Sequence, residues 1–142
     1  MNTFTDQNWD MTKANYAFVK LSVAVAIVLF SISLHAEART TIDAVYSNQQ
    51  AKGGERLYKE HCLICHDKKY FQPVLEVWSG QSVGTLLEMM SATMPESDPG
   101  SLREREYVDI LAYIFSLSRL PAGEEPLESR GGKLDEIIIA TP

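Results

Sequence analysis

The sequence predicts an all-α domain, and three observations carry that prediction. Three stretches repeat apolar residues at i, i+3, i+4 and i+7, the spacing of one helix face. Turn-rich stretches such as Met94-Pro95-Glu96-Ser97-Asp98-Pro99-Gly100 interrupt them. Only Glu136-Ile137-Ile138-Ile139, near the C-terminus, has strand character.

Taken in chain order, the first element is a leader. Leu21 to Leu34 is a run of 14 residues without charge, preceded by Lys13 and Lys20 and followed by Ala36-Glu37-Ala38. A comfortable transmembrane span needs about 20 residues. The shorter run fits the apolar region of a secretory signal, with Ala36-Glu37-Ala38 as the small-x-small cleavage pattern. The expectation is a signal peptide over 1–38, cleaved after Ala38, and a mature chain that works outside the cytoplasm. An uncleaved anchor is the alternative, helped by Tyr16-Ala17-Phe18-Val19 upstream of Lys20. Residues 39–49 form a lead-in, 50–120 the domain proper and 121–142 a C-terminal extension packed on it.

The first helix opens at Ser47, where Ser47-x-x-Gln50 has the form of a capping box. Gly54, Leu57, Tyr58, His61 and Cys62 make its stripe. Glycine on that stripe costs about 1 kcal/mol relative to alanine, which makes sense where another helix must approach closely. Asp67 to Gly80 reads as irregular. The second helix carries Val83, Leu86, Leu87 and Met90. The third is capped by Ser101-x-x-Glu104, presents Tyr107, Ile110, Leu111, Ile114 and Leu117, and is stopped by Pro121. Arg103-Glu104-Arg105-Glu106 reads as a solvated first turn, and Glu124, Glu125 and Glu128 as an acidic, solvating loop.

Composition narrows the function classes. The 142 residues carry 13 Lys+Arg against 19 Asp+Glu, a net charge of −6. Without two basic and three acidic residues of the leader the balance is 11 against 16, or −5. Such a charge argues against nucleic acid, which calls for a basic face. Two cysteines exclude a multi-disulfide scaffold and a four-cysteine zinc site. A mature domain of about a hundred residues buries only a modest core and needs a staple or a large internal group.

Both cysteines lie in Cys62-Leu63-Ile64-Cys65-His66, the C-x-x-C-H order of covalent c-type haem attachment. Two thiols three positions apart near a helix end can reach the two vinyl groups of one porphyrin edge. His66, next in line, can then turn its imidazole under the iron as the proximal ligand. A thioredoxin-like pair expects a strand before the motif and βαβ elements around it, whereas a helix precedes this one. Zinc would need further ligands, and adjacent Cys65 and His66 do not readily share one tetrahedral ion. A disulfide across two residues would be strained and leave the domain without a centre.

A haem held by His alone can bind gases or act on peroxide, and one held by His and Met is saturated and suits electron transfer. After removal of the leader the candidate methionines are Met89, Met90 and Met94. Met90 falls on the stripe of the second helix, with Met89 on its flank. Met94 precedes Pro95, which pushes it out of helical geometry, and it lies 28 residues after His66, enough chain to reach the other haem face. Met94 is therefore the expected axial partner. Trp78, Leu86, Leu87 and Phe115 are expected in the haem pocket or core, with the Trp78 indole N–H a candidate donor to a propionate. His61 reads as a surface histidine.

Gly54-x-x-x-Tyr58-x-x-x-Cys62-x-x-Cys65-His66, then Met94-Pro95, then Asp109-Ile110-Leu111-Ala112-Tyr113-Ile114 resembles the class I monohaem cytochromes c. That resemblance implies a small fold of three to four helices wrapped around one covalent haem c. It also implies a crossing of the first and last helices through Gly54 and Tyr58 against Ile110 and Tyr113. A backbone carbonyl should accept a hydrogen bond from the proximal imidazole, with Pro73, or another carbonyl of residues 67–75, as its source. Trp78-Ser79-Gly80-Gln81, Met94-Pro95-x-x-x-Pro99-Gly100 and Glu106 to Tyr113 look similar to the short bacterial cytochromes c associated with quinoprotein (PQQ-dependent) dehydrogenases. Pro121-Ala122-Gly123 and Leu134-x-x-Ile137 fit that subgroup as well.

The implied function is a periplasmic single-electron carrier rather than an enzyme. Its partners would be a periplasmic dehydrogenase, quinoprotein by the resemblance, and a downstream oxidase or cytochrome of the respiratory chain. A membrane enters only if the leader is retained. The alternatives are a haem enzyme or gas sensor with an open sixth position, and a thiol oxidoreductase without haem.

Overall fold

The computed structural model describes residues 38–142, which form one compact unit from Ala38 to Pro142. The predicted signal peptide, apart from Ala38, lies outside the described residues. Among the described residues there are four α-helices, α1 Asn48–His61, α2 Phe71–Val77, α3 Val83–Thr93 and α4 Glu104–Leu117, and a short 3-10 helix at Arg130–Gly132. Two strands of two residues each, β1 Arg39–Thr40 and β2 Ile137–Ile138, pair in parallel, Arg39 opposite Ile137 and Thr40 opposite Ile138. The fold is all-α, as expected. No helix among the described residues is long and apolar enough to cross a membrane.

Helix α4 is the axle. From Tyr107 to Phe115 every residue but Asp109 is buried, and a helix apolar on nearly all sides must be surrounded. Helix α1 crosses it where the backbones touch. A Cβ on Gly54 would collide with the Asp109 carbonyl oxygen and sit 2.5 Å from its carbon. One turn further on, Tyr58 meets Tyr113 edge to face, ring centroids 5.2 Å apart, a favoured aromatic geometry.

Caps follow the sequence in part. Ser47 accepts from the Gln50 N–H at 3.2 Å and so caps α1. Gln50 does not complete the box. Its amide donates to Asp109 Oδ1 at 3.0 Å and to the Leu127 carbonyl at 2.9 Å, and its Oε1 accepts from the Leu127 N–H at 2.7 Å. One side chain thereby ties α1 to α4 and to the C-terminal segment. Helix α4 starts after Arg103, and Ser101 does not cap it. The Glu106 carboxylate accepts from the Arg103 N–H at 2.9 Å and from its guanidinium at 2.7 Å, which satisfies a free N–H at the helix start. At the other end, Arg119 (φ 61°) takes the left-handed conformation, with Arg119 N–H on the Ser116 carbonyl and Leu120 N–H on that of Phe115. These are the two bonds of a Schellman motif.

Helix α2 was not legible as a helix. Seven residues are too few to show a period, and Pro73 is tolerated because it stands in the first turn, where N–H groups lack intrahelical partners anyway.

The C-terminal segment closes the far side. Leu127, Leu134, Ile137 and Ile139 are buried in the same core as α4. The Ile139 N–H donates to the Gln81 carbonyl at 2.8 Å, and the Gly80 N–H donates to the Ile139 carbonyl at 2.9 Å. Thr41, the one fully buried polar side chain among the described residues, exchanges hydrogen bonds with the backbone of Ala140 at 2.6 and 2.9 Å.

Candidate haem site

The end of α1 delivers the attachment motif. Cys62 caps that helix, and the His66 N–H returns to the Cys62 carbonyl at 2.8 Å, so the pentapeptide folds as one tight turn. The Tyr58 hydroxyl fastens this turn to the helix. It lies 2.7 Å from the His66 carbonyl and 2.9 Å from that of Asp67. Burial and the neighbouring Cys62, Tyr113 and Asp67 push the Tyr58 phenol up to about 12, so it stays a donor at every physiological pH. Of the two residues between the cysteines, Ile64 is 90% exposed.

The motif borders a cavity of about 640 Å³. That is the size of a cofactor site, which typically spans roughly 300–1,000 Å³. Cys62, Cys65 and His66 line it together with Met89, Met90 and Met94. Tyr107, Ile110, Leu111 and Ile114 of α4 form the floor, and Phe71, Val74 and Leu75 of α2 a side.

Met94 stands where α3 ends. Its N–H still bonds the Met90 carbonyl at 2.8 Å, while its own backbone is extended, φ −126° and ψ 149°. The Met94 carbonyl accepts from the Tyr107 hydroxyl at 2.6 Å. Met89 and Met90 lie within α3 itself. His61, read as a surface residue, also reaches the cavity edge.

The residues expected in the haem pocket or core divide between the two. Leu86 lines the cavity, but Leu87 faces a second hollow on the other side of α3. Phe115, next to Ile114 of the cavity floor but not part of the lining, is wholly buried against Tyr46 with centroids 6.1 Å apart. Trp78 packs on the core after α2 and is not part of the cavity wall. Nor does Pro73 supply a partner for His66. The His66 Nδ1 is buried with no hydrogen-bond partner from any carbonyl of residues 67–75. Pro73 belongs to the first turn of α2, and the imidazole instead lies against two rings, Tyr70 at 4.1 Å and Phe71 at 5.5 Å. Tyr70, Phe71 and Tyr107 are the contributions sequence reasoning missed. The first two sit in the stretch read as irregular, and Tyr107 was read as core.

The donor set suits a haem better than the rivals. Both cysteines are free thiols on the cavity wall rather than a disulfide. Burial pushes Cys62 up to about 11, opposite to the lowered value of a redox-active C-x-x-C thiolate. Among the described residues no three His, Cys, Asp or Glu side chains gather as a set for a bare metal ion.

No curated protein and no solved structure matches the chain. Residues 49–114 match the family described as cytochrome C oxidase, cbb3-type, subunit III. The matched segment runs from the start of α1 through the motif and Met94 into α4, and so contains most of the cavity wall. The match covers 66 of the 142 residues, and the apolar cavity, thiol pair and histidine inside it are features that a c-type haem domain would use.

Proposed function

We propose that the protein is an exported single-electron carrier whose one haem c is joined to Cys62 and Cys65 and ligated by His66 and Met94. The observation that carries this reading is the convergence of those four side chains on one apolar cavity from two different elements. When bound, the haem supplies a one-electron Fe(III)/Fe(II) couple. The chain's own residues do the rest. Tyr58 fixes the loop that bears His66, α2 and α4 exclude water, and an apolar surround of this kind favours the less charged reduced state.

The mouth of the cavity supports contact with other proteins. Ile64, Tyr70 and Met89 border it and are 90%, 46% and 38% exposed, and exposed apolar groups clustered at one site mark interaction surfaces. The partners in this reading are a periplasmic dehydrogenase, quinoprotein by the sequence resemblance, and an oxidase subunit or another cytochrome. The export assignment rests on the leader.

The test is the long-wavelength Met–Fe(III) charge-transfer band of the oxidised holoprotein. Met94→Ala should abolish it and open the iron to carbon monoxide. A band that survives would move the ligand to Met89 or Met90. A wild-type protein that binds carbon monoxide and shows no band would favour the gas-binding alternative.

A further inference from the structure

We propose that Tyr107 is a positioning residue for Met94, and that its hydroxyl sets how readily the axial position opens to an outside ligand. The inference rests on the reading of Met94 as an axial ligand.

Tyr107 lies in the second turn of α4, is 2% exposed, and lines the cavity beside Met94. Its hydroxyl donates to the Met94 carbonyl at 2.6 Å. The segment from Met94 to Leu102 is otherwise bonded only to α3, through the Met94 N–H, and to itself, through Asp98 N–H on Pro95 and Ser101 N–H on Asp98. Among the described residues, the Tyr107–Met94 bond is thus the only hydrogen bond between this segment and α4. Met94 is held at both ends of one residue: its N–H by the last turn of α3, its carbonyl by α4.

That arrangement gives the bond leverage. Where the axial position opens by movement of the segment, the Met94 carbonyl must part from a buried phenol. Without the hydroxyl, the closed arrangement keeps an unpaired carbonyl while the open one hands it to water. The equilibrium then shifts toward the open form, and an outside ligand binds more tightly in proportion to the open fraction.

The experiment is an imidazole titration of the ferric holoprotein, followed by loss of the Met–Fe(III) band, in wild type, Tyr107→Phe and Tyr46→Phe. Tyr46 is the matched control. It is also 2% exposed and donates to a backbone carbonyl, that of Leu120, at 2.7 Å, but it is not part of the cavity wall. Both variants lose one buried hydrogen bond and should lose similar global stability in urea. Tyr107→Phe should bind imidazole about tenfold more tightly, and Tyr46→Phe should match wild type. Imidazole affinity of Tyr107→Phe within about twofold of wild type, or an equal gain in Tyr46→Phe, would overturn the proposal. Met94→Ala separates the two levels. If it lacks the band and Tyr107→Phe is silent, only the role of Tyr107 fails, whereas a band retained in Met94→Ala removes the ligand reading beneath it.

Discussion

Gly54 shows most plainly how a single residue sets the geometry of the site. Its missing side chain lets α1 rest on the backbone of Asp109, which fixes where α1 ends and therefore where Cys62 and His66 begin. Gly54→Ala places a methyl against backbone rather than against a side chain that could rotate away. Overpacking typically costs about 1–3 kcal/mol, and this case should fall at the upper end or beyond, read as a lowered urea midpoint. A variant as stable as wild type would mean the crossing is looser than its contacts indicate. At this scale the sequence was informative where chemistry is dense. A thiol pair with a following histidine, a methionine before a proline and a glycine on an apolar stripe each have few physical uses. It was uninformative where a residue acts through position alone. Nothing in the composition of Tyr107 or Phe71 tells that one bonds the Met94 carbonyl and the other faces His66. The same holds for Phe115, whose apolar character fits core and cavity equally.

Among the elements, legibility followed length. Helices α1, α3 and α4 run for three or more turns, and their stripes announce them. Helix α2 does not, and its absence from the sequence reading misplaced the surroundings of His66. The start of α4 also differs from its Ser101-x-x-Glu104 signature, because a carboxylate at Glu106 reaching back to Arg103 does the work of the cap. The Arg103 guanidinium and N–H hold Glu106 down to about 2, against an ordinary carboxylate value of 4.5. A lowered value in the folded state means the stabilisation is fully present above 4.5 and is lost as pH falls from there through about 2. Glu106→Gln should therefore be less stable than wild type at neutral pH, and the gap should close in acid. Urea midpoints at neutral pH and at about pH 2 check this, and a gap that is constant with pH would show that the carboxylate's charge is not the source.

For the whole molecule, an apolar cavity walled by four helices accounts for how about a hundred residues can fold around so few chemically distinctive side chains. The C-terminal segment adds Leu127, Leu134, Ile137 and Ile139 to the core, which α4 alone would leave facing water. Acidic charge, 11 basic against 16 acidic residues or −5 without the leader, should steer a partner bearing a basic patch. Reduction by the physiological donor should then slow as ionic strength rises, in stopped-flow measurements, and indifference to salt would remove electrostatic steering from the account. The central claim, however, is a covalent one: Cys62 and Cys65 each form a thioether to the same haem. Intact-mass measurement on the purified, exported protein tests it most directly. The account predicts the polypeptide plus the mass of one haem, retained under denaturing conditions, and lost cleanly only when both cysteines are replaced by serine. A polypeptide of unmodified mass would contradict it.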